Sequence, residues 1–136
     1  MLRGNGIPAG FRWVALAADD AHRSVYTEAF PLLTKYRMPM TVFAYPSAVS
    51  NASYAMTWEQ LRKLLASGLC DVQSHTYGHP NFKKEREKLP AAEFDKLVRL
   101  QLSRSKHRDQ GKAFELILNG ASAIARRNIR HADQHY

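Results

Sequence analysis

The sequence predicts an α/β fold built on parallel strands, on the strength of three observations. Short apolar runs rich in β-formers begin near residues 13, 40 and 70. Amphipathic helical patterns lie between these runs and follow the last of them. Glycine, proline and capping residues stand where each helix must start or stop. Strands that alternate with helices at this interval imply parallel neighbours joined by right-handed crossovers, hence an α/β sheet or barrel. The units do not resemble one another, so the order βαβαβα is not a sequence repeat.

The first run, Trp13 to Ala18, is continuously apolar, as expected of a strand buried on both faces, and it stops at Asp19-Asp20. From Arg23 to Tyr36 the residues Val25, Ala29, Leu32, Leu33 and Tyr36 fall at helical spacing, with Pro31 placed to kink or divide the helix. Met40 to Tyr45 reads as a second strand closed by Pro46, and a polar loop follows to Ala55. Thr57 and Gln60 make a capping-box pattern ahead of the apolar face Trp58, Leu61, Leu64 and Leu65, and Gly68 supplies the stop. Leu69 to Ser74 is the third strand. It contains Cys70, read as a small core residue, and runs straight into His75-Thr76-Tyr77-Gly78-His79-Pro80. The stretch Lys83 to Lys88 reads as a charged loop. Pro90 then opens a last helix whose buried stripe is Phe94, Leu97, Val98 and Leu102. Ala113–Leu118 is open to either strand or helical turn, and Ala121–Ile129 reads as a short basic helix.

Composition narrows the class. Of 136 residues 45% are hydrophobic, enough for a core and against wholesale disorder. No apolar run approaches the roughly 20 residues of a membrane-spanning helix. Cys70 is the single cysteine, which excludes a disulfide framework within the chain. The formal charge of +8 is uneven: residues 1–82 carry a net of +2 and residues 83–136 a net of +6. A solvated helix face and a basic end account for this. A basic nucleic-acid-binding module is a lower-ranked alternative, since no helix-turn-helix, zinc-finger or RNA-recognition pattern accompanies the charge, and no nucleic-acid partner is expected. Met1 to Gly6 lacks the apolar stretch of a secretory signal.

The residues able to do chemistry converge in this topology. Asp19-Asp20 ends the first strand, and His75 and His79 follow the third. In parallel α/β folds the carboxyl ends of the strands form one rim, where sites are built from loops. Two imidazoles and one carboxylate are a recurring ligand set for a catalytic divalent metal, which leaves the second carboxylate free as a general base. Taken singly, Asp-Asp can be a helix cap and His-x-x-x-H a chance spacing. A second such pair, His131 and His135, has no strand end beside it and reads as tail. His22 reads as a polar residue opening a helix. Tyr45 and Tyr77 are candidates to line a sugar-binding groove, or simply to pack.

Together these residues resemble the polysaccharide deacetylase family, the NodB-homology domain of the carbohydrate esterases. The family's motif H-[ST]-x-x-H-P stands here as His75 to Pro80, preceded by Ser74. Its T-F-D-D-G stands as Ala17-Ala18-Asp19-Asp20-Ala21, both aspartates present and three flanking positions changed. Tyr45-Pro46-Ser47, Thr57 to Leu61 and His79 to Phe82 are similar to the proteobacterial branch.

The resemblance covers residues 11–107. It divides the chain into an N-terminal extension (1–10), a partial NodB-homology domain (11–107) and a divergent basic tail (108–136). It implies a partial (β/α) barrel of about three to four β/α units. It also implies a hydrolase that removes N-acetyl groups from polymers of the N-acetylglucosamine type. Asp19 would be the general base, and Asp20, His75 and His79 would hold a divalent metal, Zn first, with Co, Ni or Fe accepted. The family's usual setting is periplasmic, envelope or extracellular, which conflicts with the missing signal, so the resemblance leaves localisation open.

The later family motifs are not met. All six prolines lie at or before Pro90, no tryptophan follows Trp58, and no general acid is identified. Around the aspartates, a hydroxyl, an aromatic ring and a permissive turn glycine are replaced. These departures lead to the expectation of a truncated or frameshifted chain with impaired activity. The alternative is a non-catalytic carbohydrate- or metal-binding pseudoenzyme fragment.

Overall fold

The computed structural model describes residues 14–106. Three parallel strands, β1 (Ala17–Ala18), β2 (Met40–Ala44) and β3 (Cys70–Ser74), form one sheet in the order β1-β2-β3. The order advances in one direction, as in a (β/α) barrel, without the reversal of a doubly wound sheet. Helix α1 (Phe30–Tyr36) crosses from β1 to β2, and α2 (Trp58–Ala66) crosses from β2 to β3. Helices α3 (Phe82–Lys88) and α4 (Ala91–Lys106) follow β3. The expected α/β class with parallel strands is therefore what the chain adopts. No described helix is long and apolar enough to cross a membrane.

One face of the sheet makes the core. Ala18, Val42 and Val72 are level with one another in the register. Val42, Ala44, Cys70 and Val72 pack under Val25, Leu33, Met56, Leu61 and Leu64. The opposite face carries the half-buried Thr41, Phe43, Asp71 and Gln73, with the Gln73 amide donating to Asp71 Oδ2 at 2.7 Å.

Helix α2 begins and ends as its sequence dictates. Gln60 N–H donates to Thr57 Oγ1 (3.2 Å) and Thr57 N–H donates to Gln60 Oε1 (2.9 Å), so two of the orphan donors at the helix start are satisfied. Gly68 takes φ +72° just past the end, a conformation without cost for glycine alone.

Four expectations are corrected. The first strand is two residues long rather than six: Val14 is 80% exposed, Ala17 is exposed, and among the described residues β1 pairs only with β2. Trp13 lies outside the described residues. The helix toward Tyr36 is divided, as Pro31 leads one to expect, with a wide π-type turn over Val25–Ala29 running into α1 and Phe30 N–H bonding Val25 O, but its buried stripe is not the expected one. Pro31 has no N–H for the ordinary bond to Thr27 O, and the wide turn absorbs the gap. The extra residue rotates the apolar stripe, which leaves Leu32 and Tyr36 exposed instead of buried.

The supposed charged loop is helix α3, capped by Asn81, whose Oδ1 accepts from Lys84 N–H at 3.1 Å. In α4, whose first turn closes on Pro90 O (2.9 Å), Phe94, Leu97 and Val98 are half-buried, but Leu102 is 49% exposed. Among the described elements only α3 packs closely along this helix, through an edge-to-face contact of Phe82 on Phe94. The expected elements at 113–118 and 121–129, the 1–10 extension, the 108–136 tail and the His131/His135 pair lie outside the described residues.

Candidate metal centre

Sheet register brings the candidate ligands together. Ala18 and Val72 share a row, so Asp20, two residues beyond Ala18, reaches the rim level with Ser74, and His75 is one step further. The pairing continues past the named strands: Ala21 N–H donates to Phe43 O at 3.1 Å and His75 N–H donates to Ala44 O at 2.8 Å. Residues some 55 apart in the chain thus meet at the carboxyl rim, as expected.

The backbone there is bent into unusual shapes. Asp20, Ala21, Thr76 and His79 all have positive φ (64°, 47°, 66° and 49°) although none is glycine. Each costs on the order of 1–2 kcal/mol and must be held by its surroundings; such residues concentrate at functional sites. Thr76 Oγ1 accepts from His79 N–H at 3.1 Å, closing the turn that aims both histidines inward. Gln101 of α4 accepts from Gly78 N–H at 2.8 Å and ties the turn to the helix.

Asp20, His75 and His79 each offer a ligand atom, and these atoms lie within 4.8 Å of one another. His75 Nε2 is 3.7 Å and His79 Nε2 3.9 Å from Asp20 Oδ1. Donors at about 2 Å from a common zinc-sized ion stand roughly 3–3.5 Å apart, so each histidine needs to close on Asp20 Oδ1 by only a few tenths of an ångström. Asp20 Oδ1 is shielded from water and has no hydrogen-bond partner. A buried carboxylate oxygen left unsatisfied is costly, and a cation is the partner that two facing imidazole nitrogens and this oxygen can share. The residues present fit a divalent metal.

Asp19, by contrast, is exposed, so the two adjacent carboxylates have different surroundings.

Aromatic rings surround the histidines. His75 and His79 stack at 4.4 Å, Phe43 tilts against His75 at 6.1 Å, and Tyr45 stacks on His79 at 5.4 Å. Tyr45 is 9% exposed and packs beside Ala48 and Ala55, so its ring is a wall of the cluster and not an open groove surface. Its hydroxyl bonds that of Tyr54. Burial first, and that bond second, push the Tyr45 phenol up to about 12, so it stays protonated at any working pH. Tyr77 is half-buried, with the Arg104 guanidinium over its ring at 5.6 Å and its carbonyl accepting from Ser47 N–H.

His22 lies before the π-type turn, stacked on Tyr54 and sharing a 2.8 Å hydrogen bond with Ser24 Oγ. Cys70 is fully buried, and burial pushes its thiol up to about 11, which fits a core residue. Sequence reasoning missed Phe43, Tyr54 and Gln101. Phe43 was legible as the last aromatic of a strand ending at the rim, whereas Tyr54 and Gln101 reach the site through loop and helix placement that no local pattern announces.

Fold and site define a parallel α/β protein with an Asp/His/His cluster on its carboxyl rim. Residues 7–107 match the family model described as polysaccharide deacetylase, and the chain belongs to that family. The family and the relatives found are N-deacetylases, hence hydrolases, and the family is generally metal-dependent.

A poly-beta-1,6-N-acetyl-D-glucosamine N-deacetylase of Staphylococcus epidermidis is 31% identical over 77 residues, covering 54% of this chain and 27% of that protein. Its namesake from Staphylococcus aureus is 26% identical over 80 residues, covering 56% and 28%. The chain thus spans little more than a quarter of the curated relatives it matches. Among solved structures, IcaB from Ammonifex degensii aligns with a TM-score of 0.61 at 26% identity, over 84% of this chain and 55% of that one. The Streptococcus pyogenes deacetylase PplD, solved with acetate, shares the fold at a TM-score of 0.64 and 21% identity, over 90% and 55%.

Proposed function

We propose that this chain carries the metal-holding half of a polysaccharide N-deacetylase site, with Asp20, His75 and His79 as the ligands and Asp19 as the general base. The observation that carries the reading is the shielded, partnerless Asp20 Oδ1 facing two imidazole nitrogens. Zinc is the proposed ion, and cobalt, nickel and iron suit the same donors. The bound ion supplies Lewis acidity toward water and the acetyl carbonyl.

The chain's own residues do the rest. Asp19, exposed beside its ligating neighbour, takes a proton from the attacking water. The water oxygen bonds the acetyl carbon, the C–N bond breaks, and the nitrogen leaves as a free amine carrying the proton that Asp19 took from the water. Products are acetate and a glucosamine unit. The relatives' names support a β-1,6-linked N-acetylglucosamine polymer as the proposed substrate, for which a periplasmic, envelope or extracellular setting is the proposed one.

The test is metal stripping, titration with zinc or cobalt, and measurement of acetate released from short β-1,6-N-acetylglucosamine oligomers. Release is expected to depend on metal. Asp20→Ala should lower metal affinity by about a hundredfold or more, while Asp19→Ala should keep the metal and lose turnover. No metal binding would overturn the site. Binding without acetate release would favour the second reading, a non-catalytic metal- or carbohydrate-binding module. That reading draws support from Ala17, Ala18 and Ala21, which replace the family's residues around the aspartate pair.

A further inference from the structure

We propose that Tyr45, locked by its hydroxyl bond to Tyr54, is a positioning residue that orients the His79 imidazole toward Asp20 and thereby sets how tightly the cluster holds a divalent cation, a role that presupposes the cation-holding reading above. His79 needs such a device. It is exposed, its backbone has a positive φ, and its neighbour Gly78 gives it no side-chain support. A ligating histidine is ordinarily fixed by a hydrogen bond from its second ring nitrogen. Among the described residues, what touches this imidazole is the Asp20 carboxylate on one side and two rings, Tyr45 and His75, stacked within 22° and 29° of parallel.

Tyr45 is itself unable to turn. It is buried beside Ala48 and Ala55, precedes Pro46, and is held at its far end by the Tyr54 hydroxyl. The Tyr54 loop is anchored in turn to the segment that follows Asp20. Arg23 N–H donates to Tyr54 O at 2.7 Å and Met56 N–H donates to Ala21 O at 2.9 Å. Movement of Asp20's strand end and of the His79 ring is therefore linked through one loop. Stacking fixes the plane of the imidazole, and the hydroxyl pair fixes the stacking ring.

The experiment compares wild type with Tyr45→Leu, Tyr45→Phe and Tyr54→Phe by two readouts. One is the ring-carbon NMR signals of His79 in the metal-free protein, assigned by their loss in His79→Gln. The other is Co²⁺ affinity with its visible absorption spectrum. In Tyr45→Leu the His79 signals should lose the ring-current shift of the tyrosine, cobalt affinity should fall about tenfold, and the spectrum should change. Tyr45→Phe, which keeps the ring but loses the bond to Tyr54, should regain the ring-current shift with broadened signals and, like Tyr54→Phe, bind cobalt about threefold more weakly than wild type.

Wild-type His79 signals, or wild-type cobalt affinity and spectrum, in folded Tyr45→Leu would overturn the proposal. Should that variant fail to fold, Tyr54→Phe decides: it should broaden the His79 signals and weaken cobalt binding, and no change in either would overturn the proposal. If wild type itself takes up no cobalt, the cation reading falls, and the metal-free His79 signals still decide whether Tyr45 orients that ring.

Discussion

The segment from Ala21 to Val72 and the helical pair α3–α4 are built on different terms. Every fully buried apolar residue among the described ones lies in the first, and the second contributes only Ser105 to the buried set. The first is an α/β core in which register decides position. The second is a pair of helices with their own Phe82–Phe94 contact and a polar tie, Gln101 to Gly78, onto the histidine turn. Core burial thus fixes where Asp20 and His75 stand, while α4 acts on the site by a tether. Damage to the first region should unfold the protein, and damage to the second should loosen one turn.

The largest expected effect breaks that contrast if it fails. Leu64→Ala should cost about 2–5 kcal/mol in urea denaturation, because Leu64 is fully buried beneath the sheet, whereas Leu102→Ala should stay within about 0.5 kcal/mol. Equal losses would mean that α4 is part of the same core.

A smaller effect sharpens the account of the rim. Ala21 and Ala44 are both fully buried, but only Ala21 has a positive φ. Replacing each by glycine removes the same methyl group. Ala44→Gly should therefore be the more destabilising of the two by about 1–2 kcal/mol, the left-handed cost that Ala21 bears. Equal effects would mean that the rim is unstrained. Ala21 occupies the position where the family motif has glycine, so this variant also restores that motif's conformational freedom.

Cys70 tests the core by pH. Burial holds its thiol proton to about pH 11, against about 9 for a free thiol, so the native state keeps the proton longer than the unfolded chain does. Its contribution to stability is complete below the free-thiol range and is lost as pH rises toward 11, by about 1–2 kcal/mol. Urea midpoints at pH 8 and pH 10.5 should diverge more in wild type than in Cys70→Ala. The smallest expected effect is at the tether. Gln101→Ala should cost at most about 1 kcal/mol while speeding hydrogen exchange at the Gly78 amide, with amides of β2 and β3 unchanged.

Much of this was legible in the sequence because it is encoded by local pattern. The capping box at Thr57 and Gln60, the stop at Gly68 and the strands ending at Asp19 and Ser74 each depend on residues within a few positions. Parallel topology then predicts that Asp20, His75 and His79 share a rim. Where the pattern carried no apolar period it misled. The residues from Lys83 to Lys88 are all charged, so the helix there was announced only by Asn81 at its cap. The apolar run from Val14 to Leu16 has no second neighbour strand among the described residues to bury it, and the phase shift made by Pro31 exposes Leu32 and Tyr36. The ring pile around His79 was hidden for another reason. Tyr54 meets Tyr45 only after the polar loop has folded back onto Ala21, a contact set by tertiary packing.

The single thiol, sealed at the start of β3 five residues before His75, gives this molecule a built-in clock. A thiol reagent can reach Cys70 only when the sheet itself opens, so the labelling rate in native buffer counts global openings one molecule at a time. An ion seated on the rim favours the closed state and should slow that clock in proportion to its occupancy. Ranking divalent ions by the delay they impose would thus reveal their order of preference without any substrate being turned over.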